Sequence, residues 1–457
     1  MRIADLAGRR VAVWGFGREG HAVINALRAR LQEQALTLLC GAAEVDAARA
    51  LDAALDIVVG EPNAATLASF DIVVKSPGIS AYKPALLTAQ AQGTQFTSGT
   101  ALWFGENPDA QVVGITGTKG KSTTSALLAH LARSLDVRTA LAGNIGLPLL
   151  NLLGQSADLW VIELSSFQTG EAGPLKLGVV TSLYEEHLDW HGSRERYVAD
   201  KLKLADVSRE LLVNGLQANL LVLTQKHPRR RLFGQADGWH VANGFICRDT
   251  CQVFPIAQLA APGLHNALNA CAALAALEII GLDAIAAAAA LATFQPLPHR
   301  LQPLGEHDGC SWVNDSISTT PLATLAALES LHGRAVTVLV GGHDRGLDWT
   351  PFIDAMRTAP ANAIVCMGAN GGRIEAALLA AKISCPIMRA DNLSAAVAEA
   401  KRLTPQGGVI LLSPGAPSFD QFNNYTERGR CFAELGGFDP AGIVSIAGLG
   451  IVGAPSV

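Results

Sequence analysis

The chain has 457 residues, of which 49% are hydrophobic and 16% charged, and its net charge is −5. So much apolar material excludes a disordered chain; because one core rarely exceeds about 250–300 residues, two or three domains are expected. Lysine and arginine are spread along the chain and no basic run stands out, which argues against nucleic acid as a main partner.

The opening Met1-Arg2-Ile3-Ala4-Asp5-Leu6 carries an early acid and no apolar stretch, so no signal peptide is expected. An apolar run from Arg10, the glycines of Gly15-Phe16-Gly17-Arg18-Glu19-Gly20 and a helical pattern to Leu27 read as strand, tight turn and helix. A further strand, Ile72-Val73-Val74-Lys75, runs into Ser76-Pro77-Gly78, and the region reads as an open parallel α/β unit. A strand at 111–115 passes through a glycine-rich loop into a helix over 122–135. Strands at 159–164 and 177–183 and a long helix over 265–280 follow, then a proline-rich linker at 294–299. Strands at 335–340, 363–367 and 408–412 alternate with helical patterns, as in a second doubly wound domain. The alanine-rich stretch 284–294 is shorter than the ~20 apolar residues of a membrane span, so no membrane insertion is expected.

Eight cysteines are scattered with no Cys-x-x-Cys pair, and the Cys247/Cys251 spacing has no second half of a zinc site. Reduced, mostly buried thiols in a soluble cytoplasmic enzyme are expected.

The segment Gly114-Ile115-Thr116-Gly117-Thr118-Lys119-Gly120-Lys121-Ser122-Thr123-Thr124 lies between a strand and a helix, the context a phosphate loop requires. Its glycines let backbone N–H groups converge on phosphate oxygens at a helix N-terminus. Lys121 supplies a point charge for the β- and γ-phosphates, and the Ser122 hydroxyl is suited to ligate Mg²⁺. Gly114, Thr116, Gly117, Thr118, Lys119, Gly120 and Thr123 complete the ATP-binding set. The strict G-x-x-x-x-G-K-S pattern is not met, since Ile115 stands where its first glycine belongs.

The variant Gly-Thr-Lys-Gly-Lys-Ser-Thr-Thr resembles the loop of the Mur ligases and folylpolyglutamate synthases, which join an amino acid to a carboxylate through an acyl phosphate. The resemblance runs over essentially the whole chain. It includes Gly143-Asn144-Ile145-Gly146, the acidic motif Glu163-Leu164-Ser165-Ser166-Phe167-Gln168, the histidine motif Glu186-His187-Leu188-Asp189 and the lysine motif Tyr197-Val198-Ala199-Asp200-Lys201. Gly263-Leu264-His265-Asn266-Ala267-Leu268-Asn269, Leu297-Pro298-His299-Arg300, Asn314-Asp315-Ser316 and Ser413-Pro414-Gly415 extend it. The string Ser418-Phe419-Asp420-Gln421-Phe422 is similar to the MurD-like, glutamate-adding branch.

The resemblance implies an α/β fold of three domains. These are a Rossmann-like UDP-binding domain (1–107), a central P-loop ATPase domain with a mostly parallel sheet (108–299) and a Rossmann-like amino-acid-binding domain (300–457). It implies a monomeric ligase of UDP-N-acetylmuramoyl-L-alanine and glutamate, using ATP and two Mg²⁺ ions. Catalysis falls to Lys121, Glu163, His187 and Lys201. Ser122, Glu163, His187 and Lys201 hold metal, Lys201 as a carbamate formed with CO₂. Because a lysine amine is mostly protonated near neutral pH (pKa about 10.4 in water), its neutral form must be favoured long enough to react. Asn266 and Asn269, one helical turn apart, face the adenine, with helix capping the alternative reading of Asn266. Arg300 and Asp315 lie near the nucleotide, with His299 beside them. Gly15, Phe16, Gly17, Arg18, Ser76, Pro77, Gly78 and Asn144 hold the UDP substrate. A lone G-x-G-x-x-G with no clear acid on the later strand does not make an NAD site.

Thr319, Arg345, Ser418 and Tyr425 are the candidate amino-acid ligands, because a second carboxylate needs cations and hydroxyl donors. Here the chain departs from the D-glutamate-adding pattern Asp-Ser-Lys-Ala-Thr-Asn: it has Asp315-Ser316-Ile317-Ser318-Thr319-Thr320-Pro321, with Ile317 in place of lysine, and Tyr425 where Phe is common. The divergent class that adds L-glutamate is the expectation. The same reaction with D-glutamate is the alternative, and a folylpolyglutamate synthase-like ligase a more distant one.

Overall fold

The computed structural model describes residues 1–184, 188–261, 263–443 and 446–453. The chain forms two compact units. One comprises 1–259, 265–294 and the C-terminal 448–457; the other comprises 260–264 and 295–447.

The first unit opens with a five-stranded parallel sheet of β1 (Val11–Trp14), β2 (Leu36–Cys40), β3 (Asp56–Val59), β4 (Ile72–Lys75) and β5 (Gln95–Thr97), in the order β3-β2-β1-β4-β5. β1 and β4 are buried along their whole length, as a parallel sheet covered on both faces demands. The order reverses between β1 and β4, and a crevice outside the carboxyl ends of such a pair is where open α/β sheets bind ligands.

A second sheet in this unit holds β6 (Val112–Thr116), β7 (Thr139–Gly143), β8 (Leu159–Glu163), β9 (Leu175–Val180), β10 (Ser208–Asn214) and β11 (Arg230–Phe233). β6 lies centrally, hydrogen-bonded to β8 and β9. Two features went unread in the sequence. β12 (Trp239–Ala242), β13 (Phe245–Arg248) and β14 (Cys251–Pro255) form a small antiparallel sheet. The C-terminal β21 (Gly450–Val452) pairs antiparallel with β7. The tail expected to end the 300–457 domain therefore adds an edge strand to the central sheet, and the Arg133 guanidinium fastens it by donating to Gly450 O at 3.1 Å.

In the second unit β15 (Gln302–His307) runs antiparallel against β16 (Cys310–Asn314). β17 (Val336–Val340), β18 (Ala363–Met367), β19 (Ile387–Ala390) and β20 (Val409–Leu412) complete the order β15-β16-β20-β17-β18-β19. The loops after β16, β17 and β20 leave the carboxyl edge of neighbouring parallel strands. Pro321, which stiffens the segment after Ile317, starts the helix Pro321–Ser330 with Thr320 as its cap. All eight cysteines are unpaired, and five are buried.

Candidate active site

At the β1/β4 reversal, Gly15 sits at φ +96° against Ser76, and Gly17 caps the helix Arg18–Arg30. The Arg18 guanidinium donates to Gly146 O at 3.2 Å, joining this loop to the Gly143–Gly146 turn. Phe16 is only 6% exposed and packs in the core, which leaves its backbone alone for a ligand. The segment after β4 is tied to later segments: Trp190 Nε1 donates to Pro77 O at 3.1 Å and Ser80 Oγ to Trp190 O at 2.6 Å.

The phosphate loop leaves the end of β6 and enters the helix Lys121–Arg133. Gly114 is corrected here: it lies inside β6 facing Leu175 and Leu204, so it is a packing position rather than a nucleotide contact. Thr116 is fully buried, its hydroxyl donating to Leu164 O at 2.8 Å. Gly120 has φ +84°, and a side chain there would collide with Asn269 Oδ1. Strain and contact together require glycine at this point. Ser182 holds the loop, accepting from Lys119 N at 2.7 Å through its hydroxyl and from Thr118 N at 2.9 Å through its carbonyl. Lys121 Nζ folds back onto Thr118 O at 3.1 Å. Asn269 Nδ2 donates to Asn266 Oδ1 at 3.2 Å, so the two asparagines do share one face, beside the loop.

Glu163 ends β8 in register with Ile115 of β6 and is 1% exposed. Asn144 Nδ2 donates to its Oε1 at 2.6 Å, whereas its Oε2 is buried with no hydrogen-bond partner among the described residues. A buried carboxylate oxygen without a donor costs several kcal/mol unless a cation meets it, and Mg²⁺ fits that need. His187 lies outside the described residues. Lys201 is 2% exposed on the helix Arg194–Asp206, and its Nζ donates to Gly117 O at 2.9 Å, which brings the lysine motif onto the phosphate loop.

In the second unit, Asp315 accepts from Leu301 N at 3.1 Å and from Ser413 Oγ at 2.8 Å, linking the loops after β16 and β20. Arg300 beside it is half-buried. His299, which the resemblance puts beside these residues, is a buried ring. It is 2% exposed at φ +60°, its Nδ1 bonded to Asn314 Nδ2 at 3.0 Å, and burial pushes its pKa down to about 4. Of the amino-acid candidates, Arg345 is exposed, Thr319 and Tyr425 are half-buried, and Ser418 is 2% exposed. Their loops are drawn together by Arg428, which the sequence reading missed. It donates from Nε to Ser316 Oγ at 3.1 Å, and from one Nη to Ser316 O at 2.8 Å and Ala416 O at 3.0 Å. Burial lowers its pKa to about 10. Ser316 Oγ in turn donates to Tyr425 O at 2.8 Å, and His343 N to Pro417 O at 2.9 Å.

Three family models match in series: the Mur ligase MurD-like N-terminal domain at 9–98, the Mur ligase middle domain at 115–277 and the Mur ligase glutamate ligase domain at 299–415. A curated UDP-N-acetylmuramoyl-L-alanine–L-glutamate ligase of Xanthomonas axonopodis pv. citri is 51% identical across 99% of this chain and all of that protein. The chain belongs to the Mur ligase family. A protein of the same name from Salinispora tropica is 40% identical over 95% of this chain and 98% of its own. Among solved structures, the fold matches UDP-N-acetylmuramate-alanine ligase MurC of Thermotoga maritima (TM-score 0.59, 18% identity, 93% of this chain and 98% of that one). It also matches MurF ligase of the same organism in complex with ADP (TM-score 0.57, 16% identity, 93% of each chain). As a Mur ligase it is an ATP-dependent amide-bond-forming enzyme that uses Mg²⁺. The match at 9–98 supplies the N-terminal domain that sets it apart from a folylpolyglutamate synthase.

Sequence reading also missed Tyr82, His191 and Asp200. Tyr82 OH donates to both Asp200 oxygens at 2.8 and 2.9 Å. His191 is fully buried, with Nδ1 2.7 Å from Asp200 Oδ2 and Nε2 3.0 Å from Ser166 Oγ. Burial works to raise the Asp200 pKa, but bonds from Lys203, Tyr82 and His191 outweigh it and hold the carboxyl below its usual range. Position was the available signal: Asp200 precedes Lys201, and His191 comes four residues after His187 in the sequence.

Proposed function

We propose that this enzyme joins L-glutamate to the carboxyl group of UDP-N-acetylmuramoyl-L-alanine in the cytoplasm, as a monomer, with ATP supplying the activation. The substrate carboxylate attacks the γ-phosphate, ADP leaves, and the glutamate amine attacks the resulting acyl phosphate and expels phosphate. Charge builds on oxygen in both steps, and positioned cations lower both barriers. Lys121 meets the β- and γ-phosphates. Ser122, Glu163, His187 and the Lys201 carbamate are the residues that would hold two Mg²⁺ ions, whose chemistry is to neutralise charge on the phosphoryl oxygens. Gly117, Thr118, Lys119, Gly120 and Thr123 cradle phosphate, Asn266 and Asn269 face the base, and Arg300 and Asp315 border the nucleotide. Gly15, Gly17, Arg18, Ser76, Pro77, Gly78 and Asn144 take the UDP substrate. Thr319, Arg345, Ser418 and Tyr425 take glutamate. These roles divide the chain into UDP-substrate, ATP and amino-acid domains at 1–107, 108–299 and 300–457, apart from the returning edge strand.

The observation that carries the reading is the buried Oε2 of Glu163, on the strand beside the phosphate loop, which has no hydrogen-bond partner among the described residues. The L-hand is supported by the L-glutamate ligase activity for which the relatives at about half identity are named and by Ile317 in place of the lysine of the D-glutamate pattern. With ATP, Mg²⁺, the UDP substrate and hydroxylamine but no glutamate, a hydroxamate of the UDP substrate should form at a rate that depends on ATP. ATP hydrolysis without any hydroxamate would overturn the acyl-phosphate route.

A further inference from the structure

One turn of the helix Arg194–Asp206 grips two sites at once. On one side, Lys201 Nζ reaches Gly117 O at 2.9 Å and Tyr197 OH meets Thr118 Oγ1 at 2.7 Å, both in the phosphate loop. On the other, Asp200 receives Tyr82 OH on both oxygens, with His191 Nδ1 and Lys203 Nζ each at 2.7 Å. Tyr82 lies four residues after Gly78, in the segment that Trp190 also ties down through Pro77 O and Ser80 Oγ. The Asp200 side chain is 8% exposed and His191 is fully buried, so their pair is shielded from solvent, whereas Lys203 is half exposed. The Thr169 hydroxyl fixes the backbone of the same turn by donating to Asp200 O at 2.6 Å.

We propose that Asp200 is a positioning residue: through Tyr82 it locks the turn that carries Lys201 to the UDP-substrate loop, so the substrate end and the nucleotide end of the site are registered through a single helical turn. The inference rests on the assignment of Lys201 and of the 76–78 loop made above. Its physical content is a coupling. A ligand that orders the substrate loop also orders the turn gripping the phosphate loop, and by linkage the effect is reciprocal. Asp200 and Tyr82 need not touch either ligand. Tyr82→Phe isolates the effect, because the ring keeps its edge contact with Trp190 (5.8 Å) and its place under Arg196 (5.0 Å), and only the O–H is lost.

The test is a two-ligand binding cycle on the full chain by calorimetry, using a non-hydrolysable ATP analogue with Mg²⁺ and UDP-N-acetylmuramoyl-L-alanine, each alone and each in the presence of the other. ¹³C NMR of enzyme equilibrated with ¹³C-bicarbonate reads the Lys201 carbamate separately. The wild type should bind each ligand more tightly when the other is present. In Tyr82→Phe the separate affinities should stay within about twofold while the coupling factor falls about tenfold, and Asp200→Asn should reproduce this. An unchanged coupling factor in both variants overturns the inference, as does equal loss of both separate affinities, which a merely structural tie would give. A wild type with no carbamate signal sinks the Lys201 assignment instead, so the two failures are distinguishable.

Discussion

His299→Asn should flatten the acid-side loss of stability of the second unit. The unfolded imidazole titrates near 6.5 and the buried one near 4. Between those values the unfolded chain binds more protons, so stability from this group is present above about pH 6.5 and is lost as pH falls towards 4. The 2.5-unit gap between 6.5 and 4 corresponds to about 3 kcal/mol in full, of which about 2 kcal/mol is already gone at pH 5. Asparagine tolerates the φ of +60° at this position better than most residues and does not titrate. Its smaller side chain costs a constant amount at neutral pH. The assay is urea unfolding of both proteins from pH 7.5 to 5, followed by tryptophan fluorescence; Trp312 and Trp349 are buried in this unit. The difference between wild type and variant removes every other titration. It should shrink or reverse by about 2 kcal/mol on acidification. Parallel pH profiles would refute the claim that His299 is held neutral by burial.

Other outcomes follow from the same geometry. Glu163→Gln should lower kcat about 100-fold or more and raise the Mg²⁺ concentration needed for half activity, since metal charge stabilisation is worth several kcal/mol. Unchanged Mg²⁺ dependence in steady-state assays would contradict it. Arg428→Met strands the Ser316 and Ala416 carbonyls, at about 1–3 kcal/mol each. The KM for glutamate should rise at least about tenfold with the KM for ATP unchanged, and Arg428→Lys should recover part of the loss. Lys201→Ala should be inactive at any CO₂ concentration, whereas full activity in that variant would remove Lys201 from the mechanism.

The parallel strands and the phosphate loop were legible because buried parallel strands are short apolar runs and glycines punctuate them, as Val112–Thr116 illustrates. β12 to β14 were not, since strands of four or five residues with mixed polar faces carry little periodicity. β21 was hidden for another reason: its pairing with β7 joins segments some 300 residues apart, and its glycine-rich string suggests a loop. Gly114 was drawn into the loop by the motif string that contains it. His299 stood in a motif beside Arg300, and nothing in a sequence says that a ring is sealed behind Asn314. The Asp200 role rests on Tyr82, 118 residues away, so the chain around Lys201 could not announce it.

The most direct measurement of the central claim is phosphate release with ATP, Mg²⁺ and each glutamate enantiomer, with and without UDP-N-acetylmuramoyl-L-alanine. The account predicts sustained release only when L-glutamate and the UDP substrate are both present, with one amide product formed per phosphate. Turnover with D-glutamate alone of the two enantiomers, or release that ignores the UDP substrate, would contradict it.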